Sequence, residues 1–240
     1  MIVSGPADVR AAFDDPLFEV PTAPPATVGI GWLRATVSRF ANGEVHARRR
    51  TLVEQELEVL KLGDLRSLAA SLAGSFDARD VPLAVLCTCF GVEPTALQRA
   101  VDDGRAIAIA YPLDAEVSEE ADAAVGRLVA LLGPAADEAT AARIGLLAQA
   151  GTATGALVET ALEELGAGPA RPVEQVISDT LERKPPVTAT RRERAGRTVV
   201  LDLAAAQLPF GYGPRACPGR EHALAIAAGV LDAAPSPVSY

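Results

Sequence analysis

The sequence predicts a mainly α-helical domain with one small β element, on three observations. Alanine fills 47 of 240 positions while aromatics make up only 4%, a balance that favours helix over sheet. Apolar residues recur at three- and four-residue spacing through most of the chain. Strand-like pattern is confined to residues 187–203, around Val187-Thr188-Ala189-Thr190 and Thr198-Val199-Val200-Leu201. With 49% hydrophobic and 22% charged residues, the chain can bury one generous core. A single domain over residues 1–240 is expected.

The elements follow in order. Residues 1–30 are broken by Pro6, Pro16, Pro21, Pro24 and Pro25, leaving a short helix over 7–13 that Asp14-Asp15-Pro16 ends. From Gly31 onward Trp32, Leu33, Thr36, Val37 and Phe40 keep helical spacing until Asn42-Gly43 breaks it. The next helix, over about 44–60, puts Leu52, Val53, Leu57 and Leu60 on one face and Arg48, Arg49 and Arg50 near its start. Further helices are expected over 64–75, 81–90, 95–109, 119–132, 137–165 and 172–182, separated by Gly, Pro or Asp. After the strand pieces come a glycine-rich loop over 209–219 and an alanine-rich helix over 221–233.

Composition excludes several classes of function. A formal charge of -9 argues against nucleic acid as partner, because backbone binding needs clustered positive charge. No apolar run approaches the ~20 residues of a membrane span, and the start has neither the basic residues nor the apolar core of a secretion signal. Cys87, Cys89 and Cys217 are too few and too unevenly placed for a disulfide framework. A cytoplasmic protein is expected. Cys87 and Cys89 lie in an apolar helical stretch, and with only His46 and His222 elsewhere both read as core residues rather than metal ligands.

Chemistry concentrates in Pro209-Phe210-Gly211-Tyr212-Gly213-Pro214-Arg215-Ala216-Cys217-Pro218-Gly219-Arg220. A cysteine in a glycine-rich loop just before a helix is expected to favour thiolate, through backbone amides and the helix dipole. The glycines allow close approach of a bulky planar group, and Arg215 can reach a carboxylate beside the sulfur. The pattern Phe-Gly-x-Gly-x-Arg-x-Cys-x-Gly resembles the haem-binding loop of the cytochrome P450 family. The resemblance implies a reduced P450-like helical fold, haem b (iron-protoporphyrin IX) as cofactor and Cys217 as its metal ligand, with Phe210, Gly211, Gly213, Arg215 and Gly219 around it.

Other blocks resemble the same family in the same order. Ala7-Asp8-Val9-Arg10 through Asp15-Pro16-Leu17-Phe18 is similar to its early helix and following turn. His46-Ala47-Arg48-Arg49-Arg50 resembles the His-x-x-x-Arg of a helix that binds haem propionates, and residues at i and i+4 do share a helix face. The stretch from Pro185 to Arg192 resembles the strand whose arginine contacts a propionate, with Arg191 and Arg192 both open for that part. Residues 144–154 resemble the distal helix over the haem, making Thr152 and Thr154 the candidates for proton delivery.

Three departures accompany the likeness. The chain is shorter than the family's usual length, with an N-terminal sheet region and the segment before the cysteine loop expected to be truncated. The distal stretch carries no Asp or Glu, although proton delivery calls for a titratable group or a water chain. The family's Glu-x-x-Arg falls on Asp179-Thr180-Leu181-Glu182, where two acids replace the ion pair and require a new arginine or a proton. Three functions are therefore expected to compete. The first is a haem-thiolate oxidoreductase of bacterial specialised metabolism acting on a small organic molecule, peroxide-driven or redox-neutral. The second is a non-catalytic scaffold that binds a pathway enzyme. The third is a conventional monooxygenase with a water- or substrate-supplied proton relay. A redox partner and a homodimer are the further partners this reading admits.

Overall fold

The computed structural model of the chain describes residues 1–133, 135–167 and 171–234. Strand β1 (Ile2–Val3) leads into helix α1 (Pro6–Asp14), then α2 (Gly29–Thr36) and α3 (Gly43–Glu58). Next come α4 (Leu62–Leu72), α5 (Val81–Cys89), α6 (Pro94–Ala110) and α7 (Glu119–Leu132). A long bent helix is built from α8 (Glu138–Gln149), a π turn (Ala150–Thr154) and α9 (Gly155–Gly166). Helix α10 (Val173–Arg183), strands β2 (Ala189–Arg194) and β3 (Arg197–Asp202), and α11 (Arg220–Asp232) complete the chain. The mainly α fold with one small β element is as the sequence predicts.

Local chemistry explains the boundaries. Proline sits in the first turn of α1, α5 and α6, where its missing N–H costs nothing. Ser118 accepts from the Ala121 amide to start α7, and Asp137 accepts from the Thr140 amide to start α8. The helix expected to run to Phe40 stops at Thr36: Val37 is extended, and Ser38–Phe40 forms a separate 3-10 turn. Arg34 fixes that corner by donating to the carbonyls of Ala110, Tyr111, Pro112 and Ala115 at the end of α6.

The three strands form one sheet in the order β1-β3-β2. Strands β2 and β3 are an antiparallel hairpin turning at Ala195 and Gly196, both at positive φ (50° and 72°), and β1 joins β3 in parallel with Ile2 opposite Val200. A two-residue strand carries no readable alternation, so β1 lies below what the sequence can predict. Under this sheet, Val9, Phe13, Val199, Leu201 and Leu208 form a minor core. The main core is helical, with Ile30, Leu33, Leu83, Ile107, Leu128, Ile144, Leu147 and Ile226 fully buried, each worth about 1.5–3 kcal/mol over exposure. Cys87 joins it, but Cys89 is exposed, because α5 turns it away from the helices that cover Cys87.

Two close approaches set the frame for the cysteine loop. Helix α11 crosses α4 so tightly that a Cβ on Gly229 would strike the Arg66 carbonyl oxygen. The bent helix crosses behind α5, where a Cβ on Gly151 would stand 3.1 Å from Leu83 and one on Gly155 would stand 2.6 Å from the Arg79 carbonyl oxygen. Among the described residues no helix is long and apolar enough to cross a membrane.

Candidate haem-thiolate site

The loop from Leu208 to Gly219 is a self-bonded turn. The Cys217 amide donates to the Phe210 carbonyl at 2.8 Å, Gly211 to Leu208 and Ala216 to Gly213. Gly211 and Gly213 sit at φ of 71° and 58°, in the left-handed region that glycine alone enters freely. A Cβ at Gly211 would also stand 3.3 Å from the Arg215 carbonyl oxygen and 3.7 Å from the Phe13 ring. On the other side the loop rests on α3: Gly219 packs against Leu57, and the His222 ring bonds the Leu57 carbonyl oxygen at 3.0 Å. Arg220 lies over the Phe210 ring at 5.4 Å.

Cys217 is exposed, yet the surrounding chain desolvates its sulfur and pushes the thiol pKa up. The hydrogen bond from the Gly219 amide and the charges of Arg50 and Arg39 pull the other way and are outweighed. The expected thiolate preference is therefore not intrinsic to the loop. A metal cation at the sulfur is what deprotonates such a thiol outright.

Around the sulfur the chain gathers cations. Arg50 donates to the Ala216 carbonyl at 2.8 Å and pairs with Glu54 on its own helix. Arg215 donates to the Ala41 carbonyl and the Asn42 side-chain oxygen, at 2.8 and 2.9 Å. Among the described residues Arg192, 4% exposed, bonds only Thr190 and the Arg191 carbonyl, and its guanidinium lies 4.8 Å over the Phe13 ring. Burial, with Arg215 and Arg39 close by, lowers its pKa to about 10. Burial and the charges of Arg215 and Arg50 likewise bring His46 down to about 4. Among the described residues neither Arg192 nor Arg215 meets a carboxylate. Arg191, the other candidate on this strand, points out to Asp114 at 2.8 Å and stays exposed. His46, Arg50, Arg192 and Arg215 are thus brought together, and Arg191 is not. Arg48 and Arg49 belong to the scaffold, both pairing with Glu138 at the start of α8.

A buried arginine, Arg192, with like charges close by is costly unless an anion joins it. Two carboxylates beside a thiolate-bound cation would satisfy Arg192 and Arg215 and deprotonate Cys217, so the residues present fit haem.

The long helix of α8, π turn and α9 carries the other sequence-predicted residues. Its π turn falls on the expected distal segment, a feature often found at functional sites. Thr152 spends its hydroxyl on the Ala148 carbonyl at 2.9 Å, and Thr154 is buried. Gln149 accepts from Arg39 at 3.5 Å. Sequence reasoning missed Arg39 because it lies between predicted helices and outside any matched motif. Two other clefts, of about 310 and 230 Å³, open elsewhere, one beside Asp80 and Arg105 and one beside Asp8 and Arg194.

Asp179, one of the two acids at the expected Glu-x-x-Arg position, finds an arginine of its own. Asp179 bonds Arg171 at 2.8 Å, and Arg171 also donates to the Glu164 carbonyl at 3.1 Å. Glu182 is exposed and takes no part.

This fold, a long helix interrupted by a π turn and a cysteine loop between a small sheet and a final helix, is that of the cytochromes P450. The chain matches CalO2 with a TM-score of 0.78 at 17% identity, over 96% of its own length and 81% of that chain. It matches ligand-free CYP164A2 of Mycobacterium smegmatis with a TM-score of 0.72 at 20% identity, over 96% and 82%. RauA, complexed with a biosynthetic intermediate of aurachin RE, gives 0.70 at 17% identity, over 96% and 82%. No family model matches the sequence, and no curated protein matches it.

Proposed function

We propose that this protein is a haem-thiolate oxidoreductase acting on a small organic molecule of specialised metabolism. The observation that carries the reading is the group of guanidiniums beside Cys217, with Arg192 buried and without a carboxylate. Cys217 would ligate the iron of haem b, while Arg50, Arg192, Arg215 and neutral His46 would hold the propionates by charge-assisted and neutral hydrogen bonds. When bound, the haem supplies redox and Lewis-acid chemistry at the iron. Phe210, Gly211, Gly213 and Gly219 shape the loop that keeps the sulfur in register, and α11 and α3 hold that loop from behind.

On the distal side, no side chain from Gln149 to Thr154 is a carboxylate, and the Thr152 hydroxyl is engaged by its own helix. This supports peroxide-driven or redox-neutral turnover over oxygen activation through a side-chain acid. A scaffold would gain nothing from a buried arginine such as Arg192, which meets no carboxylate among the described residues, and this makes the enzyme the better account. A cytoplasmic location accompanies this reading, and a docking redox partner belongs to the alternative, a conventional monooxygenase.

The test is an absorbance spectrum of the purified protein, oxidised and then reduced under carbon monoxide. A red-shifted Soret band of thiolate-ligated ferrous–CO haem is expected. A protein that is colourless and refuses added hemin overturns the reading. Comparing turnover driven by peroxide with turnover driven by a ferredoxin system then separates the two enzymatic modes.

A further inference from the structure

We propose that Asn42 is a positioning residue of this site: its side-chain amide holds the Arg215 guanidinium in the orientation from which it meets a haem carboxylate. The assignment rests on the haem-thiolate reading and adds to it a residue that acts through another.

Asn42 is the last residue before α3, and asparagine there ordinarily caps the helix by accepting from an amide of its first turn. Among the described residues this side chain makes no cap bond. It is spent on two other segments. The Val20 amide donates to Oδ1 at 3.0 Å, and Nδ2 donates to the Val20 carbonyl at 2.9 Å. That pair of bonds defines which end of the amide is the oxygen, because the reversed amide would set donor against donor and acceptor against acceptor. Oδ1 keeps a second lone pair, and it accepts from Nη2 of Arg215 at 2.9 Å.

Nη2 of Arg215 also donates to the Ala41 carbonyl at 2.8 Å. Both of its hydrogens are therefore committed, and the two acceptors fix the plane of the guanidinium. Nη1 and Nε form no hydrogen bond among the described residues, which leaves their N–H groups for an incoming carboxylate. The choice of acceptor matters as much as its place. A carboxylate at position 42 would neutralise Arg215 and withhold it from an anion, whereas an amide oxygen orients the guanidinium and leaves its charge unspent.

The same side chain ties together the segments that carry the other candidate groups. Glu19, next to Val20, exchanges backbone bonds of 3.0 and 2.7 Å with Glu193, the neighbour of Arg192 on β2. The Asn42 carbonyl accepts from the His46 amide at 3.3 Å, at the start of the helix that bears His46 and Arg50. The segments of Arg192, of His46 and Arg50, and of Arg215 thus converge on one amide. Groups preset in this way lose less freedom when a ligand binds.

A double-variant cycle on hemin affinity tests this, with the folding of each haem-free variant checked by thermal melts. Asn42→Ala, which removes the acceptor, is expected to weaken hemin binding about fivefold, and Arg215→Ala about tenfold. In the Arg215→Ala background Asn42→Ala should change the affinity by no more than about twofold. Asn42→Asp should also weaken hemin binding about fivefold, because its carboxylate pairs with Arg215, and that loss should likewise vanish without Arg215. The propionate-bending band of the resonance Raman spectrum should move in Asn42→Ala as it moves in Arg215→Ala. Additive losses, unchanged affinity in either Asn42 variant, or a propionate band that stays in place in Asn42→Ala overturns the proposal. So does failure of both Asn42 variants to fold, which would assign the residue to the fold. A wild-type protein that takes up no hemin fails the haem-thiolate reading itself, whereas one that binds hemin with additive losses in the cycle fails the positioning role alone.

Discussion

The guanidinium of Arg192 lies 4.8 Å over the ring of Phe13, inside the minor core and without a carboxylate partner. A cation held this way loses hydration and recovers only part of it from the ring and two neutral acceptors. Arg192→Met should therefore leave the haem-free protein as stable as the wild type, or raise its stability by about 1 kcal/mol. In the haem-loaded protein the same change should weaken haem affinity by about 1–3 kcal/mol, through loss of charge-assisted bonds. Thermal melts of the haem-free protein and hemin titrations read the two effects separately. Unchanged hemin affinity would detach Arg192 from the propionates.

Cys217→Ser should abolish the thiolate-type ferrous–CO spectrum, because no other described cysteine stands at the loop. Cys87 is buried in α5, its thiol pushed up to about 12 by burial, and Cys89 is exposed on the same helix. Cys89→Ser should leave the spectrum untouched. A Cys217→Ser protein with an unaltered spectrum would sink the ligand assignment.

His46 gives a pH signature in the haem-free protein. Its folded pKa, about 4, lies below the ordinary 6.5 because of burial and the neighbouring Arg215 and Arg50. Between those values the unfolded chain binds a proton that the folded chain refuses, so stability is whole above pH 6.5 and falls as pH drops toward 4. Solvent screening at this half-buried ring reduces the effect to about 1–2 kcal/mol. His46→Asn should flatten the slope of chemical-denaturation midpoint against pH in that window. A slope equal to that of the wild type would place the acid sensitivity of that window in other groups; Glu138, held near 2 by Arg48 and Arg49, loses its contribution only below about pH 4.5.

What the sequence made legible follows from how locally each feature is encoded. Helices α4 to α11 could be read within a few residues because period, caps and breakers lie inside each segment. The cysteine loop was legible for the same reason: its glycines answer φ requirements within ten residues of Cys217. Helical spacing from Gly31 to Phe40 misled, since the break at Val37 accompanies a tertiary clamp, Arg34 on the end of α6. The choice between Arg191 and Arg192 was invisible for a related reason. Adjacent strand residues face opposite sides, and only the packing of Phe13 decides which side is inside. Arg39 was missed altogether, because its partners Tyr111 and Gln149 lie more than seventy residues away.

The pair Asp179–Arg171 offers a sharp test of what holds α10 against α9. Arg171 precedes α10, reaches forward to Asp179 at 2.8 Å and back to the Glu164 carbonyl on α9, while Gln175 supplies Asp179 with a second donor at 2.6 Å. It thus ties two helices and the segment between them. Both side chains are about three-quarters buried, so removing one partner leaves a poorly hydrated charge. Arg171→Ala should cost about 1–3 kcal/mol, a fall of roughly 3–10 °C in Tm for a chain of this length. Adding Glu182→Arg sets a cation three residues from Asp179 on the same helix, in the family's usual order of charges. If the lock were local to α10, that second change would restore most of the loss. Because Arg171 acts by joining α9 to α10, recovery should not exceed about 0.5 kcal/mol, the usual worth of a helical i,i+3 pair. Full recovery in the double variant would show that charge on α10, and not the bridge to Glu164, is what the proximal side requires.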